Sequence, residues 1–283
     1  MTSETVAPPP QKRRRGAGRN LPAAIGVGLG LGLLVIGLLF TYRFGFVLLL
    51  IVCVSIAVWE IVRAVGRVEA RPPLVPLLAG VLAMELLAWF RGSGALTVAF
   101  LLTALACMVW RLAEGPVGYL RDTSTAVLIA LYVPFLAGFA VLLAVPDDGL
   151  RRVIAFIATV VCSDVGGYAA GATLGRHPMA PTVSPAKSWE GFAGSTVACT
   201  IGGIAFLTLF FDVPWWQGAL FGLAIVVTAT LGDLGESMIK RDLGIKDMGT
   251  LLPGHGGLMD RLDSLLPAAA VSWLLLSAFA PVG

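Results

Sequence analysis

Asp233, Glu236, Ser237 and Lys240 recur three and four residues apart in the run from Gly232 to Arg241. On a helix these four side chains share one face, and the apolar residues before them mean that face cannot be turned to lipid without a large cost. A polar cavity must receive it. Downstream, Lys246-Asp247-Met248-Gly249 and Pro253-Gly254-His255-Gly256-Gly257 lead into Asp260, Arg261 and Asp263. The Gly-rich stretch cannot be regular helix, and its small residues leave backbone N–H groups open to an anion. The helix that follows aims its N-terminus at the same place, where the dipole favours phosphate. Carboxylates among so many cations suit a metal–phosphate site, in which Asp holds Mg2+, the metal bridges phosphate oxygens and Lys or Arg neutralises the remaining charge. Solvated surface ion pairs would not explain Asp233 inside an apolar run. His255 alone adds little, because a lone loop histidine is usually solvated.

A second polar patch begins at Ser163-Asp164-Val165-Gly166-Gly167-Tyr168 and continues through Gly171 and Gly175 to Ser184-Pro185-Ala186-Lys187-Ser188-Trp189-Glu190-Gly191. Its glycines suit close helix packing. Asp164 does not follow from packing, and an acid at that depth is a functional candidate with a cation or metal as partner. Lys187 is a candidate phosphate ligand, although Ser184-Pro185 before Lys187 and Glu190 equally suits a helix N-cap and first turn, for which Ser188 and Gly191 are adequate. Glu60 lies near the inner end of a span, where a side chain can snorkel cheaply. Glu85 is deeper, and a helix–helix hydrogen bond is its simplest use.

The elements that position these residues follow from composition. Of 283 residues 57% are hydrophobic and 13% charged, and the mean hydropathy is +0.88, which excludes a water-soluble fold and leaves no room for a hidden soluble catalytic module. Long unbroken apolar runs, without alternating polarity, exclude a transmembrane barrel. The expectation is an all-α polytopic membrane protein of about nine transmembrane helices, near 21–41, 44–62, 73–90, 94–112, 124–145, 152–175, 191–211, 215–236 and 264–281. With the N-terminus inside, sixteen of the twenty Lys and Arg fall on the inner side. This places the N-terminus and both polar loops in the cytoplasm of a bacterial-type plasma membrane. Residues 1–20 form a basic tail expected to be disordered and to meet anionic headgroups rather than nucleic acid. Residues 21–145 supply about five helices, and 146–283 a catalytic membrane region. Four cysteines, all in apolar runs and without paired spacing, indicate neither a disulfide framework nor a zinc site.

The stretch from Ser237 to Asp263 resembles the phosphatidate cytidylyltransferase (CDP-diacylglycerol synthase) family, whose motif runs Ser, two positions, Lys-Arg, four positions, Lys-Asp, then Gly, Pro and His-Gly-Gly before Asp-Arg and a final Asp. Asp164 through Gly191 matches more loosely, with Gly167 where the family often has Ala and Ala186 where a second Lys is common. The motifs cover about 150–281; the first five spans fit by hydropathy alone. The resemblance implies transfer of a cytidylyl group from CTP to phosphatidate with Mg2+, and with a second metal ion left open, in a polytopic enzyme working as a homodimer. It implies Asp233 and Asp260 as metal ligands and Asp164 and Asp263 as supporting acids. Lys187, Lys240, Arg241, Lys246 and Arg261 become phosphate contacts, Gly256 and Gly257 shape the anion loop, and Ser237, Asp247 and His255 belong to the substrate-binding motif. Two rivals use similar parts. A CTP-dependent lipid kinase would transfer only a phosphoryl group, and a secondary transporter also has broken helices and intramembrane acids. Polar groups gathered at one face, with no inverted repeat, speak against transport.

Overall fold

The computed structural model describes residues 21–249, 251 and 256–281; the basic tail at 1–20 and His255 lie outside the described residues. Among the described residues the chain is helical nearly throughout, as lipid demands of a backbone that must satisfy its own N–H and C=O groups. Its elements are α1 (Leu21–Thr41), α2 (Arg43–Val65), α3 (Leu74–Arg91), α4 (Ser93–Leu112), α5 (Tyr119–Ala130), α6 (Leu136–Ala144), α7 (Gly149–Leu174), α8 (Trp189–Phe211), α9 (Trp215–Asp242), α10 (Met259–Leu262) and α11 (Leu265–Phe279). Among the described residues eight segments are long and apolar enough to cross a membrane, α5–α6 and α10–α11 each counting as one, and Gly32–Thr41 adds a shorter apolar helix. The expected layout of about nine crossings therefore holds.

The differences from expectation are local. The fifth span is composite: a π-helical turn at Leu131–Phe135, containing Pro134, joins α5 to α6. Proline has no N–H to give to the ladder, so the helix widens there. The Tyr132 hydroxyl in that turn donates to the Gly232 carbonyl at 3.2 Å, tying it to α9. Helix α9 runs six residues beyond the predicted span, so Lys240 and Arg241 sit in its last turn, where the dipole favours cations. The loop after α7 holds an antiparallel hairpin, β1 (Pro178–Ala180) and β2 (Ser184–Ser188), with Pro178 opposite Ser188 and Ala180 opposite Ser184. Ser184-Pro185 is therefore strand rather than the start of a helix. Ser188 is the N-cap of α8, its Oγ accepting the Gly191 N–H at 3.1 Å.

Packing brings the two polar segments together. A Cβ on Gly166 would lie 2.6 Å from Ala198 Cβ and 2.7 Å from the Gly194 carbonyl, so α7 and α8 meet backbone to backbone. Gly222 does the same for α9, where a Cβ would strike the Cys199 carbonyl. Small residues permit such approach in a membrane, where apolar surface alone does not drive helices together. One core cluster joins Val47, Leu77, Val81 and Leu96 of α2–α4 with Leu243, Met248 and Met259. The segments flanking the Gly-rich loop are thereby seated on the N-terminal helices instead of standing free.

Candidate active site

Asp164 on α7, Lys187 on β2, Ser188, Asp233 on α9 and Ser264 line one cavity of about 460 Å³. Lys187 Nζ lies 2.7 Å from Asp233 Oδ2, and Ser237 Oγ donates to Asp233 Oδ1 at 3.3 Å. The two polar segments, separate in sequence, thus meet in an ion pair whose members remain partly open, with 23% and 36% of their side chains exposed. Asp164 interacts electrostatically with Asp233, Asp263, Lys187 and Arg261.

Behind the cavity is a more deeply set network. Lys240 Nζ lies 2.7 Å from Glu236 Oε2 and 2.9 Å from Asp260 Oδ1. Asp260 also accepts the Gly257 N–H at 2.7 Å and the Met248 N–H at 3.0 Å. The anion met by the Gly-rich loop is thus first of all the chain's own carboxylate. Gly256 has φ +84°, a left-handed conformation that favours glycine, and this turns the chain so that the Gly257 N–H meets Asp260. Glu236 is wholly buried; its Oε1 has no donor among the described residues, and it faces the Asp263 carboxyl. Gly232 permits this grouping, because a Cβ there would strike the Asp263 carbonyl.

Other expected residues are placed differently. Arg241 Nε donates to the Val183 carbonyl at 3.0 Å and so fastens α9 to the hairpin. Lys246 and Asp247 are exposed, and neither lines the cavity of Asp164 and Asp233. Glu190 accepts the Arg176 and His177 N–H groups and pairs with His177 Nδ1 at 2.5 Å, closing the base of the hairpin. Sequence reasoning missed the place of Glu60: instead of snorkelling outward it is buried and accepts the Met259 N–H at 2.9 Å. An acid inside a span was the only signal available.

The donor set suits a divalent cation in charge and chemistry. Asp164, Asp233, Glu236, Asp260 and Asp263 face three cations, Lys187, Lys240 and Arg261, and one buried carboxylate oxygen lacks a donor. Among the described residues no three such side chains converge on a common point. Mg2+ does not require that, since it keeps several waters and is usually held by one or two carboxylates together with substrate phosphates.

Fold and site define a polytopic helical membrane protein with a cavity lined by Asp164, Lys187 and Asp233. The sequence model described as the cytidylyltransferase family matches residues 22–279. A Mycobacterium leprae protein named phosphatidate cytidylyltransferase is 48% identical over 278 residues, spanning 92% of this chain and 89% of its own. Proteins of the same name from Mycobacterium bovis and Brucella suis are 44% and 38% identical, over 78% and 52% of this chain and 77% and 56% of their own. The chain belongs to the cytidylyltransferase family, and the match takes in the first five spans as well as the motifs.

Proposed function

We propose that this protein transfers the cytidylyl group of CTP to phosphatidate, giving CDP-diacylglycerol and pyrophosphate. The observation that carries the reading is the Lys187–Asp233 pair at the cavity mouth, backed by Lys240 between Glu236 and Asp260. A phosphatidate dianion must approach a tetra-anionic nucleotide, and in a partly dry cavity that repulsion is prohibitive unless cations offset it. Lys187 and Arg261 neutralise charge at the cavity. Lys240 has three N–H donors, two already directed at carboxylates, which leaves one for a phosphate oxygen. Asp233 and Asp263, with Asp164 beside them, are the residues to hold Mg2+. Asp260 could join them only by releasing Lys240 or the loop N–H groups. When bound, the metal supplies charge neutralisation at the transferring phosphoryl group.

A phosphate monoester is largely deprotonated near neutral pH, its second pKa being ~6, so the lipid phosphate is a competent nucleophile without a strong general base. It attacks the α-phosphorus of CTP directly, in line with departing pyrophosphate, while both substrates are bound. The N-terminus and both polar segments are cytoplasmic, in keeping with the excess of Lys and Arg there. Lipid reaches the cavity sideways from the inner leaflet, past Gly167, Tyr168 and Gly171 of α7. The working unit is a homodimer, as the family resemblance implies.

The test is whether purified protein in detergent releases pyrophosphate only when CTP, Mg2+ and phosphatidate are all present. Intersecting initial-rate plots and inversion at phosphorus with α-thio-CTP are expected. Pyrophosphate exchange into CTP without lipid, or net retention, would instead require a cytidylyl-enzyme.

A further inference from the structure

Glu60 belongs to α2, a span outside the signature motifs, yet it touches both halves of the signature loop. Its side chain is 2% exposed and its Oε2 accepts the Met259 N–H at 2.9 Å, while the Leu258 N–H faces the same carboxylate. A Cβ on Gly257 would lie 2.6 Å from Oε2, and one on Gly249 would overlap Oε1. Oε1 has no donor among the described residues. The segment at 248–249 and the segment at 257–259 therefore close over one carboxylate supplied by a distant helix. On their other side Asp260 binds the Met248 and Gly257 N–H groups and holds Lys240.

We propose that Glu60 is a positioning residue for cytidylyl transfer: its carboxylate clamps the two segments from the α2 side, and this sets Asp260 and, through it, Lys240 at the site. The inference rests on the transfer reaction proposed above. Burying a carboxylate is costly unless its interactions repay the lost hydration, and the bond it accepts from the Met259 N–H at the start of α10 is of the charge-assisted kind that does so. The loop also needs such a clamp. Its glycines contribute no side-chain packing of their own, and a displacement of about 1 Å at reacting groups costs roughly a hundredfold in rate.

The experiment uses the full chain in detergent and compares Glu60→Gln, Gly249→Ala and Glu85→Gln. Glu60→Gln keeps the size but removes the charge. Gly249→Ala keeps Glu60 but pushes a methyl into its carboxylate. Glu85 is wholly buried on α3 and neither of its carboxyl oxygens has a partner among the described residues, so its variant controls for loss of a buried acid. We expect the first two to lower kcat by about 10- to 100-fold, with KM for CTP unchanged. Amide exchange in the 256–262 peptide should be at least about tenfold faster in both. Glu85→Gln should change neither. In a Lys240→Met background Glu60→Gln should cause no further loss, because its effect runs through Lys240. Wild-type kcat in Glu60→Gln, an equal loss in Glu85→Gln, or a full additional loss in the double variant would overturn the proposal. If Glu60→Gln does not fold, Gly249→Ala decides by the same readings. A wild-type chain that forms no CDP-lipid would overturn the reaction itself, and loop exchange would then decide separately whether Glu60 holds the loop.

Discussion

Lys240→Met should destabilise the protein as well as lower its turnover to a small residual rate, and the loss of stability should be partly reversible by removing a carboxylate. Lys240 Nζ lies 2.7 and 2.9 Å from oxygens of Glu236 and Asp260, whose side chains are 0% and 6% exposed. The two oxygens are therefore no more than about 5.6 Å apart, and at an effective permittivity of ~20 their repulsion is about 3 kcal/mol once the ammonium is gone. Breaking a buried ion pair from one side generally costs about 3–5 kcal/mol, a range consistent with that figure. Reversible unfolding in mixed micelles, followed by far-ultraviolet circular dichroism, should show Lys240→Met less stable by about 3 kcal/mol. Adding Glu236→Gln should recover at least about half of that, since only one buried charge remains, without restoring turnover. A Lys240→Met variant within about 1 kcal/mol of wild type, the usual scale of an exposed pair, would show that the ammonium does not neutralise buried acids. So would a double variant no more stable than the single one.

Asp233 and Asp260 should separate in the same assays. Asp233→Asn faces the cavity and should lower kcat by orders of magnitude while leaving unfolding nearly unchanged. Asp260→Asn loses charge-assisted bonds to Lys240, Met248 and Gly257, and should cost about 2 kcal/mol of stability in addition to activity. Single cysteines at Ser184 and at Asp148 should react with impermeant reagents from opposite faces of the membrane, cytoplasmic for the first; labelling from one face would overturn the orientation. Deleting residues 2–18 should leave specific activity intact, measured on correctly inserted protein, because the tail carries none of the acids or glycines of the site.

The apolar runs located the helices because lipid admits few other backbones, and the three- and four-residue spacing of Asp233, Glu236, Ser237 and Lys240 placed them on one helix. Their division of labour was not legible. Asp233 opens to the cavity whereas Glu236, three residues on, is wholly buried, a difference set by where α10 and Asp263 pack against α9. The hairpin at 178–188 is not legible in the sequence, because its strands are short and Ser184-Pro185 also reads as a helix start. Glu60 could not be assigned from its own span, since what it binds lies 199 residues away. The Gly-rich stretch reads in the sequence as backbone open to phosphate, whereas the Gly257 N–H is given to the chain's own Asp260.

Cytidylyl transfer moves the α-phosphorus of CTP, and not the γ-phosphorus, to lipid. It is tested most directly by presenting purified protein with phosphatidate, Mg2+ and CTP labelled in turn at the α- and γ-positions, then extracting the lipid. α-Label is expected in the extracted lipid, with γ-label left in water as pyrophosphate. Label from the γ-position in the lipid, with CDP in the water, would make the protein a lipid kinase and rule out cytidylyl transfer.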